Sequence, residues 1–188
     1  MRIGIDVDDT ITDTYEKVIE IIAEYYNKDI DELKRKKYPY DHFWISGEYP
    51  DFDNKVNEFF DILIPTFKIK GNAVNVINKL KSEGHCIIII TARRNNKAGV
   101  THEFLDKNGI PYDKIYEKIR DKGEIAKLEN IDIFIDDSIE HCKEVEERGI
   151  RAILFDADFN RDNIDYERVK TWNEIYELIK NIELGKRK

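Results

Sequence analysis

The sequence predicts an α/β fold: a three-layer, Rossmann-like sandwich around a central parallel sheet, with a small α-helical cap inserted after the first strand. Three observations predict it. Short runs rich in Ile, Val, Leu and Phe recur at 2–7, 86–90, 114–118, 131–135 and 151–155, and three of them are almost continuously apolar, as strands buried on both faces are. Helical patterns of crossover length separate most of them. Between the first strand and the next crossover helix, however, lie roughly sixty residues, several times a usual βα connection.

The elements can be justified in order. The strand "RIGIDV" runs into the acidic "DVDDT". A helix over 14–27, "TYEKVIEIIAEYYN", follows, with Asp13 and Glu16 at the spacing of an N-terminal cap. An irregular polar and aromatic stretch leads to a second helix near 53–63, and Pro65 and Gly71 return the chain to the sheet. Helix 72–83 stops at Gly84, helix 97–108 stops before Gly109 and Pro111, and helix 138–148 runs from Ser138 to Gly149. The last helix opens on "TWNE", where Thr171 and Glu174 have capping-box spacing. The expected division is a core of 1–13 and 72–188 with a helical cap of 14–71.

Composition bounds the function. With 188 residues, 37% charged and 41% hydrophobic, the chain is long enough for one domain with a real core. A net charge of −8 argues against a nucleic-acid polymer as partner. The longest apolar run, "CIIII", is too short to span a bilayer, and the first strand begins too early to leave room for a signal peptide. Cys86 and Cys142 fall in core elements, which suggests two thiols in a reducing cytoplasm. The four histidines show no metal-binding spacing. Oligomeric state is left open, a dimer included.

The chemistry sits where strands end. In open α/β sheets, ligands bind outside the carboxyl ends of the strands. Strand ends here present Asp6, Asp8 and Thr10, then Thr91, Ala92 and Arg93, then Asp136 and Asp137, with Lys122 just upstream. So many carboxylates repel unless a hard cation neutralises them, and Mg²⁺ suits oxygen ligands that share it with a phosphate. Taken singly, each residue has a plainer explanation: a helix cap for the aspartates, a strand end for Thr91, a surface pairing for Arg93.

"DVDDT" at 6–10, "IIIITAR" at 87–93, Lys122 and "IDDS" at 135–138 resemble, in order, the four signatures of the haloacid dehalogenase-like hydrolases. That resemblance implies a Mg²⁺-dependent phosphatase acting through an aspartyl-phosphate. Asp6 would be the nucleophile and Asp8 the general acid and base. Thr91 and the Ala92 N–H would hold phosphate oxygens, with Arg93 at the rim and Lys122 on the nucleophile and phosphate. Asp6, the Asp8 carbonyl, Asp136 and Asp137 would hold the metal. Lys97, Lys114 and Lys118 are rivals for the lysine; Lys122 is preferred because it leads into "IDIFIDDS".

The helical insertion, "HFWISGEY" at 42–49 and "RDKGEIAKLENIDIFIDDS" at 120–138 resemble the 5'(3')-deoxyribonucleotidase group and its bacterial nucleotidase relatives. The implied substrate is a nucleoside monophosphate, with Phe43 and Trp44 as base-stacking candidates. Two positions depart from that group's pattern: Asp9 stands where a Gly is frequent, and Ala92 where a Ser is. The alternatives are a phosphatase for a sugar phosphate or another small metabolite, and a non-enzymatic receiver domain phosphorylated on aspartate.

Overall fold

The computed structural model describes residues 1–38, 42–94, 97–161 and 166–185, apart from the side chains of Trp44, Ile45, Asp53, Val56 and Asn57. Strand β1 (Arg2–Ile5) is followed by the two-residue β2 (Thr12–Asp13) and by four helices, α1 (Tyr15–Tyr25), α2 (Ile30–Lys36), α3 (His42–Ile45) and α4 (Phe52–Leu63). A 3₁₀ turn and β3 (Lys68–Ile69) bring the chain back. The remainder alternates: α5 (Ala73–Ser82), β4 (Cys86–Ile90), α6 (Val100–Lys107), β5 (Lys114–Tyr116), α7 (Lys122–Leu128), β6 (Ile133–Asp136), α8 (Ile139–Glu146), β7 (Arg151–Phe155), β8 (Arg168–Val169) and α9 (Trp172–Glu183).

The main sheet has six parallel strands in the order β5-β4-β1-β6-β7-β8. Its strands are apolar on both faces because both faces are covered. Ile87, Ile89, Ile133, Ile135 and Ile153 pack on one side with residues of α5, α6 and α9. Ile88, Ile90, Phe134, Ala152 and Leu154 pack on the other with Ala126 of α7 and Cys142 and Val145 of α8. The three layers predicted from the alternation are present.

β1 lies between β4 and β6, so the chain leaves it in both directions and the order reverses there. That reversal opens a crevice at the carboxyl ends of these strands. The register Ile5↔Ile89 and Ile5↔Ile135 sets the ends of β1, β4 and β6 level with one another.

The long connection is helical, as expected, and an antiparallel pair, Thr12↔Ile69 and Asp13↔Lys68, closes its two ends. Its buried residues, among them Ile19, Ile22, Phe43, Phe52 and Ile64, join the core cluster on one face of the sheet. Six elements differ from expectation: β2, β3, β8, α2, α3 and α7 were not read from the sequence. The cap of α1 differs too. Thr14 makes no side-chain cap bond, and Asp9 Oδ1 instead accepts from the Tyr15 N–H at 3.1 Å. Ser138 and Thr171 cap α8 and α9 as their spacing predicts.

α7 and α8 pack closely because residue 123 is Gly. A Cβ there would lie 2.4 Å from the Glu144 carbonyl oxygen. Gly123→Ala is therefore expected to lower stability by about 1–3 kcal/mol, the usual cost of overpacking against backbone, read as a shift in the urea midpoint at unchanged slope. A neutral or stabilising result would mean that the two helices separate freely.

Candidate active site

Asp6 follows β1 directly and is 3% exposed. Its N–H donates to the Ile135 carbonyl at 2.9 Å, which carries the sheet pairing to the last residue before the loop. The ammonium of Lys122, 1% exposed, donates to Asp6 Oδ1 at 2.5 Å and to Asp136 Oδ2 at 2.7 Å. Lys122 reaches this position from the first residue of α7, whose N-cap Asp121 accepts from the Glu124 N–H. The Lys122 N–H is itself held by Glu144 of α8.

Asp136 ends β6, and its second oxygen accepts from the Ser138 N–H at 2.8 Å. Asp137, also buried, accepts from the Thr10 hydroxyl at 3.1 Å, and its carbonyl accepts from Asn160 at 2.7 Å. His141 Nδ1 lies 3.5 Å from Asp136 Oδ2. Carboxylate oxygens of Asp6, Asp136 and Asp137 all fall within 4.8 Å of one another.

One buried ammonium cannot neutralise three buried carboxyls, and the protonation balance reflects this. Burial, together with the Asp136 and Asp8 charges and against the pull of Lys122, raises Asp6 to about 7. Burial would raise Asp136 as well, but Lys122 and His141 outweigh it and bring it down to about 2. Burial and then the charges of Asp136, Asp9 and Asp6 hold Asp137 well above the usual carboxylate range. Burial disfavours the Lys122 ammonium too, yet Asp136 and Asp6 more than restore it. An oxygen-only donor set with this surplus of negative charge fits a hard divalent cation, which would take over what protons now do.

Asp8 makes separate contacts. Arg93 Nε donates to Asp8 Oδ2 at 3.0 Å and Arg93 Nη2 to Asp8 Oδ1 at 2.6 Å, and Thr14 donates to Oδ1 at 2.8 Å. Arg93 was expected at the rim; it is instead 3% exposed and paired with Asp8. Thr91, fully buried after β4, accepts the Arg93 N–H at 3.1 Å, and Ala92 between them is half-buried. Of the rival lysines, Lys114 pairs with Glu129, and the Lys97 backbone N–H binds Asp61.

The aromatic expectation changes. Phe43 is 1% exposed, with its ring 5.2 Å from Tyr49 and 5.6 Å from Phe52. A ring enclosed this way is interior to the inserted helices and offers no open face to a base. The Trp44 side chain lies outside the described residues.

Several supporting residues escaped the sequence reading. Thr14, Asn160, His141 and Glu144 act across the fold, and no local spacing announces them. Asp9, noted only as a departure, has φ 55°. This left-handed position explains why a Gly is frequent there, and Asp is among the residues that tolerate it. A cleft of about 400 Å³ adjoins this loop, with Asp9, Tyr15, Lys70, Asp156 and Phe159 in its lining. Elsewhere, Glu83, His85 and Glu183 also converge, but Lys180 already bonds both glutamates.

Comparison with known proteins decides the family. The family model described as 5' nucleotidase, deoxy (pyrimidine), cytosolic type C matches residues 1–184. The chain belongs to this nucleotidase family. It is accordingly a phosphoric monoester hydrolase, which removes the receiver alternative. A nucleotidase of Clostridium acetobutylicum is 28% identical over 182 residues, 95% of this chain and 93% of that protein. A candidate nucleotidase of Bacillus subtilis is 30% identical over 188 residues, 96% of this chain and 94% of that one. Among solved structures, a haloacid dehalogenase-superfamily hydrolase, subfamily IA, of Geobacter sulfurreducens shares the fold. It has a TM-score of 0.63 at 16% identity, covering 94% of this chain and 98% of that one.

Removing the central ammonium tests the charge balance of the nucleotidase core. Lys122→Met is expected to cost about 3–5 kcal/mol at pH 8 without divalent cation, the range for stranding buried partners. The native Lys122 is raised above its usual value, so its contribution is fully present throughout this range. Without it, Asp6 and Asp136 take up protons more readily in the folded than in the unfolded state. The deficit therefore shrinks as pH falls from 8 towards 5. Urea titrations across that range check it; a deficit independent of pH would reduce the lysine to a packing role.

Proposed function

We propose that the protein is a Mg²⁺-dependent nucleotidase that hydrolyses nucleoside monophosphates through an aspartyl-phosphate on Asp6. The observation that carries this reading is the position of Asp6: the first residue after the central strand β1, against Lys122, within reach of Asp136 and Asp137, and two residues before Asp8. The nucleoside part of the reading rests on membership of the nucleotidase family.

In the proposed first step an Asp6 oxygen attacks phosphorus, the bond from phosphorus to the ester oxygen breaks, and the departing oxygen takes a proton from Asp8. In the second, the Asp8 carboxylate removes a proton from water as that water attacks the same phosphorus. The bond to Asp6 breaks, inorganic phosphate leaves, and both aspartates return to their starting forms. The Thr91 hydroxyl, the Ala92 N–H and the Lys122 ammonium are assigned as donors to the phosphoryl oxygens. Asp6, Asp136, Asp137 and the Asp8 carbonyl are assigned to Mg²⁺. A bound Mg²⁺ supplies charge neutralisation and alignment of the phosphate. The two cysteines are unpaired, which suits a reducing cytoplasmic setting.

Activity across a panel of ribo- and deoxyribonucleoside 5'- and 3'-monophosphates and sugar phosphates, with Mg²⁺ or EDTA, tests the reading. Preferential hydrolysis of nucleotides, abolished by EDTA, is expected. Preference for sugar phosphates would transfer the assignment to a metabolite phosphatase. Asp6→Asn is expected to fold and to lose roughly three orders of magnitude or more in kcat, as removal of a covalent nucleophile does. Near-normal turnover in that variant would end the aspartyl-phosphate mechanism.

Metal binding can be read without activity. Asp6 is raised to about 7 and Asp137 above its usual range, so each holds a proton in the metal-free fold where the unfolded chain does not. Their contribution to stability is present at low pH and is lost as pH rises through the folded values. A cation must displace those protons. Mg²⁺ is therefore expected to raise Tm more at pH 8 than at pH 5.5, measured by differential scanning calorimetry. An equal increment at both pH values would place the metal elsewhere.

A further inference from the structure

Arg93 is a buried cation whose carboxylate partner among the described residues is Asp8, outside the cluster of Asp6, Asp136 and Asp137. Its side chain has no exposed surface, whereas that of Asp8 is 18% exposed. The fork of Nε and Nη2 meets both Asp8 oxygens, at 3.0 and 2.6 Å. Nη1 is buried and has no hydrogen-bond partner among the described residues. Burying a guanidinium with one amine unsatisfied costs free energy, which the two-point pairing offsets. The guanidinium also lies over the Phe67 ring, 5.5 Å from its centroid. Thr14, which holds Oδ1 of Asp8, follows β2, and Phe67 precedes β3, so both lie at the Asp13↔Lys68 end of the antiparallel pair. Asp8 is thus held by Arg93 from the loop after β4 and by Thr14 from the start of the insertion, while Phe67 at the insertion's end packs on Arg93.

We propose that Arg93 is a positioning residue for the phosphatase reaction: it acts through Asp8, aiming its carboxyl group at the departing oxygen, and does not bind the phosphate. This rests on the nucleotidase reading above. Negative charge develops on Asp8 as its proton passes to the leaving oxygen, and a guanidinium already aligned on both carboxyl oxygens meets that charge without reorganising. Lysine has no fork and cannot hold both oxygens in one plane. The proton moves from Asp8 to the ester oxygen as its bond to phosphorus breaks; Arg93 gains and loses nothing.

The test compares leaving groups. A nucleoside departs as a poor leaving group and needs the proton; 4-nitrophenolate departs readily without one. Arg93→Met is expected to lower kcat/KM for a nucleoside monophosphate by roughly 10- to 100-fold, the lower part of the range for general acid catalysis. For 4-nitrophenyl phosphate the loss is expected to stay below about threefold on the same reasoning, with KM for both little changed. Arg93→Lys, the smaller change should Arg93→Met fail to fold, is expected to show the same order with smaller losses. A KM raised equally for both substrates would make Arg93 a phosphate ligand and overturn the proposal. An equal fall in kcat/KM with unchanged KM would overturn it in favour of a general structural role. A wild-type protein inactive on every phosphomonoester would instead overturn the nucleotidase reading and this inference with it.

Discussion

Three carboxyl groups at the ends of adjacent parallel strands must be buried together, and Lys122 is what allows it. Removing a carboxylate from water costs several kcal/mol, against about 1.5–3 kcal/mol gained by burying an Ile side chain. The site thus consumes the burial of several core residues. The apolar sheet supplies them: Ile3, Ile5, Ile87, Ile89, Ile133 and Ile135 all have at most 1% exposure. A sheet covered on both faces is the condition for holding Asp6, Asp136 and Asp137 within one ion's reach.

The ammonium neutralises only part of that charge, and this is the useful state of the site. With Asp136 held ionised near 2 and Asp6 raised to about 7, the cluster keeps a proton that a better ligand can displace. The Lys122 backbone is anchored from behind, by the Glu144 side chain on its N–H and by the close contact of Gly123 with α8.

Much of this was legible in the sequence, for reasons that can be named. β1, β4, β6 and β7 are buried on both faces, so their central residues are almost all apolar and stand out. The acids that follow them could be placed together because strand ends in a parallel sheet share an edge. α7 was not legible. Its buried residues are Lys122, Gly123 and Ala126, which give no apolar period, although Asp121 and Glu124 carried a cap signal. α2 buries only Leu33 and fails the same way. β2, β3 and β8 are two-residue pairings fixed by distant partners. Phe43 was misplaced because an aromatic residue in a polar stretch looks the same whether it faces a ligand or the interior. The pairing of Arg93 with Asp8 joins residues in the loops after two strands, 85 positions apart, and no spacing rule reaches that far.

The loop after β1 shows how little freedom the chemistry leaves. The Val7 carbonyl accepts from the Ile11 and Thr12 N–H groups and from the Thr12 hydroxyl, closing residues 7–12 into a tight turn. Inside it, Asp8 is held by Arg93 and Thr14. Asp9, at a left-handed φ that costs about 1–2 kcal/mol in a non-glycine residue, caps α1 and binds Lys70 through its carbonyl at 2.6 Å. Thr10 holds Asp137 through its hydroxyl, and its carbonyl accepts from Trp172 at 3.0 Å. Consecutive side chains are each committed to a different element, so the turn cannot reshape itself around different substrates. The same turn also ties the inserted helices to the site, through Thr14 and the β2–β3 pair.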